Sequence, residues 1–136
     1  MANIPYYQQK DIENIKKLRE MMKELPPFCT EFFRGIEPRT STRTRIAYAY
    51  DLSVFFDFLK KENPVFAKME RMDFQLEQLD QITVTDLEEY MEYLKYRFNE
   101  QNHEIMNQER GIMRKISSLK SFYNYFFRTE KLATNP

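Results

Sequence analysis

The sequence predicts an all-α protein with a single hydrophobic core. Only two of its 136 residues are glycines, and no segment sustains the alternation of apolar and polar residues that marks a half-buried strand. Gln, Glu, Lys, Met and Leu, which favour helices, are frequent between the apolar positions. With 42% hydrophobic and 15% aromatic residues, a chain of this length can close one core but hardly two. We therefore expect one helical domain.

Prolines delimit the first predicted helix, which covers residues 8–24 and ends before Pro26 and Pro27. Its apolar residues recur at helical spacing, at Ile12, Ile15, Leu18, Met22 and Leu25. Residues 28–39 follow and include Gly35 and Pro38. Because both residue types interrupt helices, this segment predicts one helical turn and a loop.

The second long helix begins at Thr40 or Ser41, because either hydroxyl can accept a hydrogen bond from a free amide of the first turn. Its apolar stripe is Tyr48, Leu52, Phe55 and Leu59. Asn63 and Pro64 end this helix. Residues 64–82 are mixed in character and acidic, so we assign no regular element to them.

Thr83 predicts the start of a third helix, since Asp86 three positions later can complete a capping box. Its core positions are Leu87, Tyr90, Met91, Leu94 and Phe98, and it ends near residues 99–102. A fourth helix covers residues 105–128, with the apolar stripe Ile112, Ile116, Leu119, Tyr123 and Phe126. Over about four turns its opposite face is basic and rich in short hydrogen-bond donors. That face consists of Arg110, Arg114, Ser117, Ser121, Asn124 and Arg128.

The net charge of zero conceals an asymmetry along the chain. Residues 1–33 hold 5 basic and 5 acidic groups, and residues 34–61 hold 6 and 3. Residues 62–104 hold 4 and 11, and residues 105–136 hold 6 and 2. Two basic segments thus flank an acidic one, which allows a basic face and an acidic face on one small protein. The alternative is that these charged residues only form solvent-exposed faces of the helices.

Catalytic motifs are absent from the sequence, which contains no GxxxxGK[ST], HExxH or GxSxG. His103 lies in a polar segment and is interpreted as a solvated loop residue, and Cys29 beside Phe28 as a buried thiol. The sequence therefore predicts no catalytic residue, no metal and no cofactor. It also has no secretory signal and no apolar run of about 18 residues, so we expect a cytoplasmic protein without a membrane role.

Two arginines stand where a helix prefers acids. Arg43 and Arg45 fall in the predicted first turn of the second long helix, where the helix dipole disfavours a cation by about 0.3–1 kcal/mol. The same free amides favour an anion, so this turn predicts a phosphate site. The side chains available to it are Arg39, Ser41, Thr42, Arg43, Thr44 and Arg45. The alternative is that the arginines pair with Glu37 or Asp51.

The basic face of the fourth helix favours the phosphate interpretation. A long helix that presents Arg and Ser every three or four residues is suited to lie along a DNA groove. Together with the arginines of the second long helix it would hold one duplex from two elements. The aromatic residues fall mostly on the predicted core stripes, so stacking on single-stranded bases is not indicated.

Three segments resemble the N-terminal core-binding domain of tyrosine recombinases, the phage integrase and Xer-like family. Residues 41–59 resemble its second helix through the pattern SxxTxxxYxxDLxxFxxFL. The stretch ITVTDLEEYMEYL is similar to its third helix. The stretch RKISSLKSFYNYFFRTEKLATNP, residues 114–136, is similar to its fourth helix and exit. The resemblance covers about residues 27–136, and the three segments occur in the family's order.

The resemblance implies a four- to five-helix, SAM-like orthogonal bundle that clamps one side of a duplex recombination half-site. In this family a C-terminal catalytic domain clamps the other side and carries the tyrosine nucleophile. By this resemblance residues 27–132 form the DNA-binding domain, residues 133–136 begin a linker to an absent catalytic domain, and residues 1–26 form an N-terminal helix, either part of the bundle or packed on a neighbour. The expected partners are duplex DNA, the chain's own catalytic domain and neighbouring protomers of a synaptic tetramer. The isolated domain is expected to be non-catalytic.

The resemblance also assigns DNA-facing residues to both basic elements. Carried over position by position, they are Arg43, Thr44, Ala47, Arg110, Arg114 and Ser118, with Ser41, Arg45, Lys115, Ser117 and Ser121 beside them. Tyr48, Asp51 and Leu52 are interpreted as packing and capping positions. The neutral net charge departs from the family, whose domains are frequently basic, and we expect the acidic residues 62–104 to face away from DNA. The alternative function is a helical protein-interaction module whose basic face meets an acidic partner.

Overall fold

The computed structural model describes residues 5–64, 66–70, 73–98, 101 and 103–129. Its helices are α1 (Tyr6–Lys23), α2 (Cys29–Ile36), α3 (Thr42–Glu62), α4 (Val84–Lys95) and α5 (Glu109–Arg128). Short 3-10 segments cover Glu37–Arg39 and Leu76–Gln81, and two-residue strands β1 (Arg97–Phe98) and β2 (Glu104–Ile105) pair antiparallel. The prediction of an all-α fold is confirmed.

Helix α3 lies at the centre of the bundle and packs against α1, α4 and α5. A helix with neighbours on several sides must be apolar over most of its surface, and α3 buries ten residues. These are Thr42, Arg45, Ala49, Asp51, Leu52, Val54, Phe55, Phe56, Phe58 and Leu59. Three of the ten are polar or charged, and all three lie in the N-terminal half of the helix.

Phenylalanine rings join α2, α3 and α5 into one core. The ring of Phe122 on α5 lies 5.2 Å from Phe32 on α2 and 6.4 Å from Phe56 on α3, both edge to face. Such pairs contribute about 0.5–1.5 kcal/mol beyond the area they bury. The predicted apolar stripe of α5 is buried, except that Ile116 is only half-buried. Phe122, which the stripe left out, is completely buried.

Serine and threonine caps fix where α3 and α4 begin, as predicted. The Ser41 hydroxyl accepts from the Thr44 backbone amide at 3.1 Å. At the start of α4, Thr83 Oγ1 accepts from the Asp86 amide at 3.2 Å, while the Asp86 carboxylate accepts from the Thr83 amide at 2.8 Å. Each cap satisfies backbone donors that the helix itself leaves free.

The prediction of one turn and a loop for residues 28–39 is wrong, because Cys29–Ile36 forms a two-turn helix. Gly35 lies inside that helix and does not break it. A Cβ built on Gly35 would fall 2.2 Å from Cε2 of Tyr125, so the glycine allows α5 to approach α2 closely. A contact between residues this far apart in sequence leaves no local signal.

The predicted boundary between the third and fourth helices is also wrong. Helix α4 ends at Lys95 and α5 starts at Glu109, because the chain turns extended at Tyr96 (φ −157°, ψ 121°) and forms the β1–β2 hairpin. The buried guanidinium of Arg97 donates to the Asn107 side chain, and the Asn107 amide donates to the Leu94 carbonyl at 3.1 Å. Met91, predicted in the core, is 37% exposed, and the side chain of Phe98 lies outside the described part of the chain.

Helix α1 packs along α3. It buries only Leu18, while Ile12 from the predicted stripe is 41% exposed. A polar contact fixes its register, because the Thr42 hydroxyl at the start of α3 donates to the Asp11 carboxylate at 2.8 Å. The predicted linker, residues 133–136, lies outside the described residues.

Candidate nucleic-acid interface

A groove of about 270 Å³ runs between the N-terminal half of α3 and the N-terminal half of α5. Helix α3 contributes Thr44, Ala47, Tyr48 and Asp51, and α5 contributes Arg114, Ser117 and Ser118. Five of these seven residues are sequence-predicted DNA contacts, so the fold brings both predicted elements to one place. Its rim carries hydroxyls, a methyl group and a guanidinium, the groups that proteins use on phosphates and thymine methyls.

A buried carboxylate lies at the floor of this groove. Asp51 on α3 is only 3% exposed. Its Oδ1 accepts from Nη2 of Arg114 at 3.0 Å, and its Oδ2 accepts from the Ser118 hydroxyl at 2.7 Å. Both donors come from α5, so Asp51 joins the two helices that form the groove. It also fixes one side of the Arg114 side chain, which remains 56% exposed on the other.

Lys115 brings a second cation close to Asp51. Its side chain is 2% exposed, and its ammonium lies 3.8 Å from Asp51 Oδ1 and 5.2 Å from the centre of the Tyr50 ring. Burial lowers the pKa of Lys115, although the neighbouring Asp51 carboxylate opposes that shift. A buried cation needs such partners, because an isolated charge in the interior is strongly unfavourable.

The two arginines at the start of α3 have different environments. The Arg45 side chain is buried, and its Nη1 donates to the carbonyls of Glu37 (3.1 Å) and Thr40 (2.8 Å) and to the Thr40 hydroxyl (3.2 Å). It thereby anchors α3 to the 3-10 segment Glu37–Arg39 through backbone oxygens. Arg43 is exposed and makes no ion pair or side-chain hydrogen bond within the described part of the chain.

Exposure divides the predicted contact residues into two groups. The exposed ones are Ser41, Arg43, Thr44, Ala47, Arg110, Arg114 and Ser117, with Ser121 half-buried. The buried ones are Arg45, Lys115 and Ser118. The Ser41 hydroxyl already serves the α3 cap, and Thr42, considered as a donor to phosphate, is buried and bonded to Asp11. The accessible face is thus narrower than the predicted one.

The sequence interpretation missed the contacts of Asp51 with α5, because it assigned this residue only a packing and capping role. One signal was available, because Asp51 interrupts the apolar run of α3 at a position that the helical spacing places in the core. A buried acid requires a cation or several donors. The basic face of α5, with its arginines and serines, could have supplied both the cation and the hydrogen-bond donors.

Two features common in other classes of protein are not found in the described residues. None of the described helices has an apolar stretch of the length needed to span a bilayer. No group of three His, Cys, Asp or Glu side chains among them could hold a metal ion. His103 is exposed and Cys29 is buried, and burial raises the pKa of its thiol.

Comparisons with known proteins agree with this architecture. The sequence profile of the phage integrase N-terminal SAM-like domain matches residues 30–130. Among curated relatives, Tyrosine recombinase XerC of Caldanaerobacter subterraneus subsp. tengcongensis is 36% identical over 82% of this chain and 32% of its own length. Tyrosine recombinase XerC of Anoxybacillus flavithermus is 30% identical over 74% of this chain and 27% of its own.

A relative with a different name shares less identity. Tyrosine recombinase XerS of Lactococcus lactis subsp. cremoris is 26% identical over 84% of this chain and 32% of its own length. The matched region thus spans about a third or less of the relatives. No solved structure matches the chain significantly. The fold and the profile match over residues 30–130 together show that the chain belongs to the phage integrase N-terminal SAM-like domain family, that of the N-terminal domains of tyrosine recombinases.

Proposed function

We propose that this chain binds the duplex of a recombination half-site through the groove between α3 and α5, as the non-catalytic DNA-binding domain of a tyrosine recombinase. The observation that carries the proposal is the convergence of Thr44 and Ala47 from α3 with Arg114 and Ser117 from α5 on one groove. Arg43 adjoins the α3 residues, and Arg110 lies one turn before Arg114 on α5. These exposed cations would contact phosphates, and the small Ala47 leaves room for a base edge.

The buried members of the predicted set have a supporting role in this proposal. Arg45 fixes the start of α3 through backbone carbonyls, and Lys115 and Ser118 hold Asp51. Asp51 in turn orients Arg114. Pre-orienting an arginine reduces the side-chain entropy that binding must otherwise overcome. Because the net charge of the chain is zero, we expect this domain alone to bind DNA weakly.

A carboxylate bonded to the first turn of α3 offers a sensitive test. Asp11 accepts from Thr42 at the first turn of α3, where a phosphate would also be attracted. Asp11→Asn keeps an acceptor for Thr42 and removes one negative charge. We expect a severalfold gain in DNA affinity at low salt, which shrinks as salt screens the charge. A loss of affinity, or no change at low salt, would argue against phosphate binding at this turn.

Substitution of the exposed arginines tests the proposal from the other direction. Arg43→Ala and Arg110→Ala should each weaken duplex binding and reduce the slope of log K against log salt by about one. The control is Lys23→Ala, which removes an exposed cation at the far end of α1. Fluorescence anisotropy with a labelled duplex at several salt concentrations measures all three. Unchanged DNA affinity in the folded Arg43→Ala and Arg110→Ala variants would support the alternative, a module whose basic face meets an acidic protein. Equal losses in all three variants would show that DNA binding is not localised to this face.

A further inference from the structure

A second groove, of about 820 Å³, lies between α4 and α5 and is not used by the proposed DNA contacts. Its apolar surface comes from Met91 on α4 and from Ile112 and Met113 on α5. Its acidic groups are Glu88, Glu89, Glu92 and Glu109. An apolar strip bordered mostly by acidic residues is suited to an amphipathic helix whose polar face is basic.

The two methionines are unusually accessible for residues of a packed bundle. Met91 is 37% exposed and Met113 is 51% exposed, although both belong to helices that contact each other. Methionine is flexible and polarizable, and proteins use it on surfaces that adapt to the apolar face of a partner helix. Burying these side chains under a partner would remove apolar surface from water.

The carboxylates around the groove are poorly compensated. Lys95 also lines the groove and lies 3.0 Å from Glu92, whereas no cation lies within ion-pair range of Glu88, Glu89 or Glu109 in the described ranges. Glu88 and Glu92 are four residues apart on α4, a spacing at which like charges destabilise a helix. A cationic ligand would relieve this repulsion, while an acidic or neutral ligand would not.

The two grooves occupy different faces of α5. Glu109, Ile112 and Met113 are spaced i, i+3 and i+4 and share one face. Arg110, Arg114 and Ser117 follow at positions rotated by about 100° from those residues. A ligand between α4 and α5 therefore leaves the α3–α5 groove open, and both can be occupied together.

We propose that the α4–α5 groove binds a basic amphipathic helix of a partner protein. Its apolar residues, at i, i+3 or i+4, and i+7, would cover Met91 and Met113, and its Lys or Arg side chains would meet Glu88, Glu89 and Glu109. Helix α4 has 12 residues and is about 18 Å long, so roughly three turns of the ligand fit against it. The proposal does not depend on DNA binding, since it uses other residues on another face.

Synthetic peptides of about three turns test this inference directly. The probes are an amphipathic peptide of leucines and lysines, a scrambled peptide of the same composition, and a charge-reversed peptide with glutamates in place of lysines. The ¹⁵N-labelled chain is titrated with each by NMR. We expect the lysine peptide to bind at least about tenfold more tightly than either other peptide, with shifts at residues 85–95 and 109–113. Equal binding of the scrambled peptide, or shifts elsewhere, would overturn the proposal.

A charge substitution at the groove provides the matched control. Glu88→Lys should weaken binding of the lysine peptide by about tenfold. Glu77→Lys, the same change on the 3-10 segment Leu76–Gln81, should leave the affinity for the peptide unchanged. Both side chains are exposed, so both variants should fold. Analytical ultracentrifugation of the free chain tests whether a second copy of the chain occupies the groove instead. A dimer that excludes the peptide would show that a second copy fills the groove and would also overturn the proposal.

Discussion

The guanidinium of Arg114 on α5 donates to the buried carboxylate of Asp51 on α3 across a distance of 3.0 Å. The two residues are 63 positions apart in sequence, and their contact lies at the floor of the groove proposed to face DNA. Ser118 shares the same carboxylate from the next turn of α5. The position of Arg114 is therefore set by the core of the bundle, so the proposed DNA contact and the stability of the fold both depend on Asp51.

Asp51→Asn should destabilise the fold by about 3 kcal/mol, because Lys115 would keep a buried charge without an anion beside it. Urea denaturation measures the loss. The double variant with Lys115→Met should recover much of it, since an apolar side chain of similar length needs no counter-charge. If the single variant were as stable as the parent, the pairing of Lys115 with Asp51 would contribute nothing.

Two buried tyrosines should respond oppositely to the loss of their hydroxyls. The Tyr90 hydroxyl is buried and has no hydrogen-bond partner among the residues that the structure describes, whereas the Tyr123 hydroxyl donates to the Leu79 carbonyl at 2.9 Å. Tyr90→Phe should therefore leave the free energy of unfolding unchanged or raise it. Tyr123→Phe should lower it by about 1 kcal/mol. Urea denaturation of the two variants measures both free energies of unfolding. An equal loss in both would show that Tyr90 has a polar partner.

The two glycines of the chain differ in how closely other groups approach them. Gly35→Ala should cost about 1–3 kcal/mol, because its Cβ would overlap the ring of Tyr125 and force that side chain to shift. Gly111→Ala meets only the Asn107 side chain, at 3.2 Å, and adds a better helix former to α5. Its cost should be smaller or absent. Thermal unfolding of the two variants side by side provides the comparison, and equal costs would contradict the close packing at Gly35.

Alkaline pH should destabilise the protein. Burial raises the pKa of the Cys29 thiol and of the Tyr90 and Tyr123 phenols. Above pH of about 9 for the thiol and about 10 for the phenols, the unfolded chain loses these protons while the folded chain keeps them. The unfolded state then binds fewer protons, so stability falls by about 1.4 kcal/mol per pH unit for each such group.

Lys115 has the opposite effect on the pH dependence of stability. Its pKa is lowered, so between its folded and unfolded pKa values the folded chain loses the proton first and stability rises with pH. This one group offsets only part of the opposite effect of the thiol and the phenols. Cys29→Ala should flatten the decline between about pH 9 and 10, where the thiol titrates in the unfolded chain. Denaturation curves at several pH values measure this, and an unchanged slope would mean that Cys29 is accessible to solvent.

The all-α class, the caps at Ser41 and Thr83, and most of the apolar stripe of α5 could be predicted because each depends on residues a few positions apart. The helical state of Gly35 could not be predicted, because the glycine is needed for a contact with Tyr125 far along the chain. The β1–β2 hairpin could not be predicted either, because strands of two residues are too short to show an alternating pattern. Local patterns describe helices well and describe the contacts that end or extend them poorly.

The candidate site shows the same division. Helical spacing and the family resemblance together located the two basic elements that the fold brings to one groove. Burial of Arg45 and Lys115 could not be read from spacing, because an arginine and a lysine on a polar face look the same whether they point to water or to a carbonyl or carboxylate of another element. Asp51 was the informative residue, since an acid within an apolar stripe requires a partner.

The most direct test of the proposed DNA interface is an NMR titration of the ¹⁵N-labelled chain with a short duplex at low and then moderate salt. The proposal predicts shifts at residues 41–47 and 110–121 that saturate and then fade as salt rises, because phosphate contacts release counterions. Arg114 and Ser117 should be among the residues that shift most. If these segments stay unchanged at low salt, and remain unchanged when the full-length recombinase binds the duplex, the α3–α5 groove is not the DNA interface.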